Sequence, residues 1–294
     1  MAQKDNLIQW FPGHMAKTRR LMRESLPLVD AVVEIRDARI PYSSRNPEIA
    51  KIVGAKPRII LLNKADFADK KVTDDWVLFF KERNLAAIPV DCRNGRGLKD
   101  VMPAVKEVCS DLIERLKKRN MEGRPLRIMV VGIPNVGKSS FINRMAGGKK
   151  TKVEDRPGVT VRKQWIKLND GSELLDMPGV LWPKFEDNVV GKNLAFTGAV
   201  KDQVMDIEDL GCSLCEILAR DYFDNFSKRY GISKEEAEGK NSYELLSLVA
   251  EKRKMLLGGG VPDTLRAAQT VLDEFRGGVL GKISLEVPRL KNDR

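Results

Sequence analysis

A glycine-rich loop in the middle of the chain carries the strongest chemical pattern. Residues 132–139 read G-I-P-N-V-G-K-S and match G-x-x-x-x-G-K-[S/T] in full. The glycines let successive backbone N–H groups point inward, where they and the N-terminus of the next helix attract phosphate. We expect Lys138 to reach the β- and γ-phosphates of a nucleoside triphosphate and Ser139 to ligate Mg²⁺. The predicted phosphate-binding residues are Asn135, Val136, Gly137, Lys138, Ser139, Ser140 and, from another segment, Gly179.

A second motif, N-K-A-D at residues 63–66, predicts which base is bound. The Asp66 carboxylate can accept from both N1–H and the exocyclic amine of guanine, whereas adenine lacks this pair of donors and would leave the carboxylate unpaired. Asn63 is expected to support the guanine and the loop, and the stem of Lys64 to lie along the base and sugar. Together with the phosphate loop, the motif predicts GTP and GDP as ligands.

The pair Asp91-Cys92 follows the next predicted strand after N-K-A-D. We expect the backbone of this pair to contact the guanine. A Ser-Ala pair is more usual at this place.

Residues 176–179, D-M-P-G, form a D-x-x-G element at the end of a predicted strand. Asp176 is expected to reach Mg²⁺ through water, and the Gly179 N–H to sense the γ-phosphate. Thr160, at the end of the run R-P-G-V-T, is the first candidate for the switch threonine that closes on Mg²⁺ and the γ-phosphate. Thr151 is a second candidate.

Short apolar runs alternate with helical patterns along much of the chain. Strands are predicted at 31–35, 58–62, 86–90, 126–131, 164–168 and 173–176, the last two joined by an Asp-Gly turn. Helices are predicted at 73–83, 98–119, 138–145, 207–230, 242–257 and 264–275. The alternation indicates an α/β fold whose mostly parallel sheet is covered by helices on both faces. We expect a P-loop GTPase domain over residues 1–184 and a C-terminal all-α domain over residues 185–294, with a partly extended or disordered tail from Lys282.

The motifs occur in circularly permuted order. In an ordinary small GTPase the phosphate loop precedes N-K-x-D, whereas here N-K-x-D comes first. The permutation is tolerable because the sheet is unchanged and only the chain ends move. As a consequence, the D-x-x-G element leads directly into the C-terminal helices, so a movement driven by the γ-phosphate can pass to them.

Composition and charge favour a phosphate-rich partner. The 294 residues carry a formal net charge of +11, and the excess lies in the first two hundred residues. We interpret this as a surface for nucleic acid, with ordinary solubility as the alternative. No apolar run approaches the roughly 20 residues of a membrane-spanning helix. The first twenty residues lack the apolar stretch of a secretory signal, so we expect a cytoplasmic protein.

The four cysteines show no disulfide framework. Cys212 and Cys215 form one C-x-x-C, but a zinc site needs two more ligands, and the single histidine, His14, lies far away in sequence. We interpret the pair as small buried residues on a helix.

The chain resembles the ribosome biogenesis GTPase A family, circularly permuted GTPases of bacteria with mitochondrial relatives. The motifs that carry the resemblance are W-F-P-G-H-M at 10–15, D-A-R-I-P at 37–41, N-K-A-D at 63–66, G-I-P-N-V-G-K-S-S at 132–140, P-G-V-T at 157–160 and D-M-P-G at 176–179. The resemblance implies late assembly of the large (50S) ribosomal subunit, with its RNA and proteins as partners. It also implies that the C-terminal helices share in binding this RNA. The main departure is Asp91-Cys92, which leaves the guanine contact there open.

Hydrolysis needs a group that orients the attacking water, and many GTPases supply a glutamine just after D-x-x-G. Val180 occupies that position here and cannot do so. The resemblance implies that His14 takes the catalytic role, on a loop that swings toward the γ-phosphate once the protein docks on RNA. It also implies that Asn135 binds K⁺, which bridges phosphate oxygens in place of an arginine finger. The alternative is an Asn135 that only hydrogen-bonds the loop.

Two other functions remain open on the sequence alone. One is a nucleotide-gated RNA-binding switch whose hydrolysis is incidental, and it differs from an assembly GTPase in not needing His14. The other is a GTPase of RNA modification or membrane transport, for which the sequence offers neither a second catalytic constellation nor a membrane segment. We expect the protein to be a monomer.

Overall fold

The computed structural model describes residues 12–148, 164–179, 181, 187–200 and 205–290, and for residues 12–15 it describes the backbone alone. The chain forms two compact units, Met1–Asp187 together with Ser284–Arg294, and Asn188–Ile283. The end of the chain therefore belongs with the first unit, whereas the sequence-based division after residue 184 placed all that follows in the helical domain.

One sheet of six strands is found in the described part of the first unit. Its strands are β1 (Ala31–Asp37), β2 (Arg58–Asn63), β3 (Ala86–Val90), β4 (Arg127–Val131), β5 (Gln164–Lys167) and β6 (Glu173–Asp176). Their order is β3-β2-β1-β4-β6-β5, and all neighbours pair in parallel except β5 with β6. The mostly parallel sheet expected from the sequence is confirmed. The β5–β6 hairpin turns at Gly171, whose φ is 86°, as the Asp-Gly pair predicts.

Helices of the first unit pack apolar side chains against this sheet, except the helix at 110–118, which has no buried residue. They are α1 (Pro12–Ser25), α2 (Pro47–Val53), α3 (Lys70–Lys81), α4 (Val101–Val108), α5 (Ser110–Lys118) and α6 (Lys138–Met145). Ile49 of α2 shares a buried cluster with Val32 and Met129 of the strands. Trp76 of α3 does the same with Leu62 of β2. The single helix predicted at 98–119 is divided, because the backbone at Cys109 leaves helical geometry with φ −101° and ψ 11°.

In the described residues of the second unit the regular elements are helices, and one isolated β-bridge joins Leu256 to Pro262. The helices are α7 (Asn188–Phe196), α8 (Ile207–Asp221), α9 (Phe223–Tyr230), α10 (Lys234–Ala237), α11 (Ser242–Lys252) and α12 (Thr264–Gly277). The helix predicted at 207–230 is divided at Tyr222, where φ is −134° and ψ 42°. The change of direction lets Phe226 and Tyr230 of α9 turn their rings inward, since both are buried.

A buried polar cluster fixes α9 against α12. The Glu274 carboxylate accepts from the Tyr230 hydroxyl at 3.0 Å and from Arg229 Nε at 2.9 Å. A charge this deep in the unit is tolerable because it is paired and hydrogen-bonded. It therefore gives α9 a defined position on α12 in addition to apolar packing.

The cysteines are buried thiols, which the sequence predicts for Cys212 and Cys215. All four are free, and burial raises the pKa of the Cys212 thiol to about 11. Among the described residues, no group of His, Cys, Asp or Glu side chains is arranged to hold a metal ion. Nor does any helix in that part of the chain have the length and apolar character needed to cross a membrane.

Gly211 gives a test of the packing between α8 and α12. A Cβ at this position would lie 2.7 Å from Cα of Ala268, so the two helices approach too closely for any side chain. Gly211→Ala is expected to lower the free energy of unfolding by about 1–3 kcal/mol through overpacking, although alanine ordinarily favours a helix. Urea unfolding of the full chain, followed by circular dichroism, measures this.

Gly258→Ala is the matched control. A Cβ at Gly258 meets nothing within 4 Å, so its unfolding midpoint should stay close to that of the wild type. An equal or higher midpoint for Gly211→Ala would contradict the close helix approach.

Candidate nucleotide-binding site

The predicted motifs leave the sheet at one edge. D-A-R-I-P begins at the end of β1, N-K-A-D at the end of β2, the phosphate loop follows β4, and D-x-x-G begins at the end of β6. These strands are parallel neighbours, so their carboxyl ends meet at the same edge. The chain passes from β1 to β2 on one side, while β4 lies on the other side of β1. Ligands of open α/β sheets bind in the crevice at such a switch of direction.

The phosphate loop is held in a conformation that needs its glycine and asparagine. Asn135 has φ 59° and Gly137 has φ 97°, both in the left-handed region. A Cβ on Gly137 would also clash with the Asn63 side chain. Asparagine tolerates a positive φ better than most residues, which gives Asn135 a backbone reason for its place. Ser139 and Ser140 are the second and third residues of α6 and are half-buried.

Lys138 lies buried beside the D-x-x-G element. Burial lowers the pKa of its ammonium group to about 8, and the nearby Asp176 carboxylate opposes this shift. A Cβ on Gly179 would lie 2.9 Å from Nζ of Lys138, so the position admits no side chain without displacing the lysine. The desolvated ammonium group is suited to an anionic ligand, since a phosphate would restore the charge that burial opposes.

Asn63 joins three of the predicted segments. Its Nδ2 donates to the carbonyl oxygen of Val136 at 2.7 Å. Its Oδ1 accepts from the backbone N–H of Cys92 at 3.0 Å. Asn63 itself is buried, with 3% exposure. One carboxamide therefore ties the N-K-A-D loop to the phosphate loop and to the loop after β3.

Lys64 and Asp66 have different surroundings within the N-K-A-D loop. Lys64 has φ 61° and its Nζ lies 3.2 Å from Oδ2 of Asp37. Asp66, the last residue of N-K-A-D, is half-buried. Burial and the neighbouring Asp91 carboxylate raise the pKa of Asp66. Both causes penalise its charged form, so a ligand that donates hydrogen bonds to the carboxylate would be favoured there.

Asp91 and Cys92 make hydrogen bonds that hold the loop after β3. Oδ1 of Asp91 accepts from the N–H groups of Arg93 and Asn94 at 2.9 and 3.0 Å. These bonds lower the pKa of Asp91 although burial opposes them. The N–H of Cys92 is already bonded to Asn63. A backbone contact from this pair to guanine would compete with these bonds, so that contact stays a prediction.

Several predicted residues lie outside the described part of the chain. Thr160, Thr151 and Val180 are among them, and so is the side chain of His14, whose backbone is in the first turn of α1. Their expected roles stay predictions.

The sequence did not predict the ion pair and the hydrogen bond that brace the site. Arg39 binds Asp37 through Nε at 3.0 Å and Nη2 at 2.8 Å, and both residues are about 1% exposed. Burial opposes the Asp37 charge, but Arg39 and Lys64 outweigh it and hold the pKa of Asp37 far below its usual range. Arg144 of α6 donates to the carbonyl oxygen of Arg93 at 2.9 Å. In the sequence, D-A-R-I-P stands out only as a family motif, and nothing in its spacing indicates these contacts.

The amino-acid sequence is similar to those of known GTPases. The family described as 50S ribosome-binding GTPase matches residues 127–240. Ribosome biogenesis GTPase A of Bacillus cereus is 43% identical over 96% of this chain and 94% of its own length. The same-named protein of Priestia megaterium is 44% identical over 96% of this chain and 97% of its own length.

A solved structure is similar over nearly the whole fold. The crystal structure of GNP-bound YlqF from T. maritima has a TM-score of 0.62 at 30% identity, over 93% of this chain and 99% of that one. This similarity is consistent with a permuted GTPase domain followed by a helical unit. The protein is a GTPase and belongs to the ribosome biogenesis GTPase A family.

Proposed function

We propose that this GTPase binds GTP in the crevice between β1 and β4, hydrolyses it to GDP and phosphate, and does so in the late assembly of the large ribosomal subunit. The observation that carries the proposal is the Asn63 carboxamide. By bonding Val136 and Cys92 it holds the base-recognition loop and the phosphate loop at one crevice. A single nucleotide can then contact both.

Base recognition falls to Asp66 and phosphate binding to Lys138. Asp66 accepts from N1–H and the exocyclic amine of guanine, which relieves a carboxylate whose charged form is otherwise penalised. Lys138 and the loop N–H groups neutralise the phosphates. Gly179 lies close to Nζ of Lys138, and we expect its N–H to bond the γ-phosphate.

Mg²⁺ fits the oxygen donors at this edge. Ser139 offers a hydroxyl from α6 and Asp176 a carboxylate from the end of β6, and hard oxygen ligands are those that Mg²⁺ prefers. The Asp176 carboxylate partly offsets the lowering of the Lys138 pKa by burial, so the two charged groups act on one another at this edge. Thr160 is the further ligand that we propose on switch closure. When bound, the ion supplies positive charge to the β- and γ-phosphates.

The assembly role rests on the relatives and on charge. Two proteins named ribosome biogenesis GTPase A share more than 40% of this sequence over 96% of the chain. The net charge of +11 suits a partner rich in RNA phosphates. The end of α5 offers exposed cations for such contacts, namely Arg115, Lys117, Lys118 and Arg119. The partner would be the pre-ribosome, and the C-terminal helices would share in binding it. The protein would act in the cytoplasm as a monomer.

Asp66→Asn tests base recognition. The amide has one hydrogen-bond acceptor fewer for guanine, so GTP affinity should fall roughly 100-fold or more. It also presents an N–H to the 2-oxo group of xanthine, so XTP affinity should rise. Competition titrations against a fluorescent GDP measure both. Asp74→Asn makes the same change at an exposed side chain of α3 and should leave base preference unaltered. An Asp66→Asn protein that still prefers GTP would refute this assignment.

His14→Ala tests the catalytic role of the histidine. Since Val180 cannot orient water, loss of His14 should reduce hydrolysis stimulated by large subunits by about 100-fold or more, with GTP affinity preserved. Glu24→Ala, on the exposed side of the same helix, should retain stimulation. Full stimulation in His14→Ala would instead favour a nucleotide-gated RNA switch, and no stimulation of the wild type would remove the assembly role.

Asn135→Gly separates K⁺ binding from the backbone requirement. Glycine keeps the positive φ of 59° but removes the carboxamide oxygen that would ligate K⁺. The wild type should hydrolyse GTP faster in KCl than in NaCl, and the variant should lose this difference. Equal wild-type rates in the two salts would show that Asn135 serves the loop alone.

A further inference from the structure

The C-terminal tail returns to the guanine-binding loop. After α12 the chain runs without regular structure, and Ser284, Leu285 and Glu286 each bond a different part of the first unit, to which they belong. We name residues 284–286 the C-terminal strap. Bonds at three consecutive residues offset the entropy of ordering this part of the chain, so the strap has a defined position beside the loops that it bonds.

Glu286 holds the loop that follows D-A-R-I-P. Its carboxylate accepts from the N–H of Tyr42 at 2.6 Å and from the N–H of Ser43 at 3.0 Å, and also from the Ser43 hydroxyl. Its backbone oxygen accepts from Nε1 of Trp76 on α3 at 3.0 Å. Charge-assisted bonds of this kind are about twice as strong as neutral ones.

A chain of contacts leads from the strap to Lys64. The N–H of Leu285 donates to the carbonyl oxygen of Arg39 at 2.9 Å. Arg39 binds Asp37, and Asp37 lies 3.2 Å from Nζ of Lys64. The neighbouring Ala38 N–H donates to the carbonyl oxygen of Asn63 at 2.8 Å.

A second path reaches the other end of the same loop. Oγ of Ser284 accepts from the N–H of Asp69 at 3.1 Å. Asp69 lies three residues beyond Asp66 and caps α3 by accepting from the N–H of Val72 at 3.0 Å. The strap therefore bonds the segment directly at Asp69 and reaches Lys64, on the other side of Asp66, only through Arg39 and Asp37.

The loop needs such support because of its backbone. Lys64 is a non-glycine residue at φ 61°, a conformation that persists only when neighbouring contacts hold it. The ion pair to Asp37 supplies one of these contacts. A looser loop would let Asp66 drift from the geometry that two simultaneous hydrogen bonds to guanine require.

We propose that the C-terminal strap and Asp37 are positioning residues for guanine recognition, fixing the backbone around Lys64 and Asp66 so that the carboxylate can bond both guanine donors. The idea rests on the proposed role of Asp66. The readout is the ratio of ITP to GTP dissociation constants, since inosine lacks the exocyclic amine that the second hydrogen bond uses. A loss of folded protein alone would change both constants equally and leave this ratio unmoved.

The test uses the full chain with Glu286→Gln and with the double variant Ser284→Ala/Glu286→Gln. The amide keeps the size of Glu286 but loses its charge, so the bonds to Tyr42 and Ser43 weaken. Calorimetric titration with GTP and ITP should show the ratio falling by up to about tenfold in the double variant, the factor that one charge-assisted hydrogen bond represents. Asp37→Asn is avoided, because breaking a buried pair can unfold the protein.

Glu238→Gln is the matched control, an exposed glutamate in the second unit, and its ratio should equal that of the wild type. An unchanged ratio in both strap variants, including one in which both affinities fall together, overturns the proposal. Should Asp66→Asn shift base preference in the same experiments, the guanine-binding role of Asp66 stands and only the strap fails. Should Asp66→Asn also leave preference unchanged, the proposed role of Asp66 falls and the strap proposal with it.

Discussion

A single buried carboxamide makes the site of this GTPase possible. Asn63 donates to Val136 in the phosphate loop and accepts from Cys92 in the loop after β3. An amide suits this position because it is a donor on one side and an acceptor on the other, and at 3% exposure neither partner can be replaced easily by water. Gly137 must lack a side chain because Asn63 fills that space. The distance between base and phosphate sites is thus set by hydrogen bonds that need no nucleotide.

Circular permutation changes which parts of the chain can act on this site. The sheet itself is not altered by permutation: β1 lies between β2 and β4, and the loop after β1 braces N-K-A-D through Asp37 and Lys64. The chain end belongs to the first unit, and Leu285 after α12 bonds Arg39 in the loop after β1. The second unit is joined to the D-x-x-G element at its start and to the strap at its end. Both connections lead to loops that we assign to the nucleotide.

Sequence patterns predicted the parts of the structure that depend on local chemistry. The phosphate loop, the parallel strands and the Asp-Gly hairpin follow from glycine geometry and apolar runs, and the structure has them. The breaks at Cys109 and Tyr222 were missed because a helical pattern shows periodicity but not a local change in φ and ψ. The Asp37–Arg39 pair and the strap were missed because contacts between distant segments leave no mark in the spacing of either. The sequence predicts a partly extended or disordered tail, and nothing in its pattern indicates the bonds that Glu286 makes.

A crystal structure with a non-hydrolysable GTP analogue tests the central claim most directly, namely that Asp66 and Lys138 bind opposite ends of one guanine nucleotide. We predict that the Asp66 carboxylate lies about 3 Å from guanine N1 and from the exocyclic amine. In the same molecule, Nζ of Lys138 should contact the β- and γ-phosphates while Asn63 keeps its bonds to Val136 and Cys92. A nucleotide bound with its phosphates at Lys138 but with its base away from Asp66 would contradict the account.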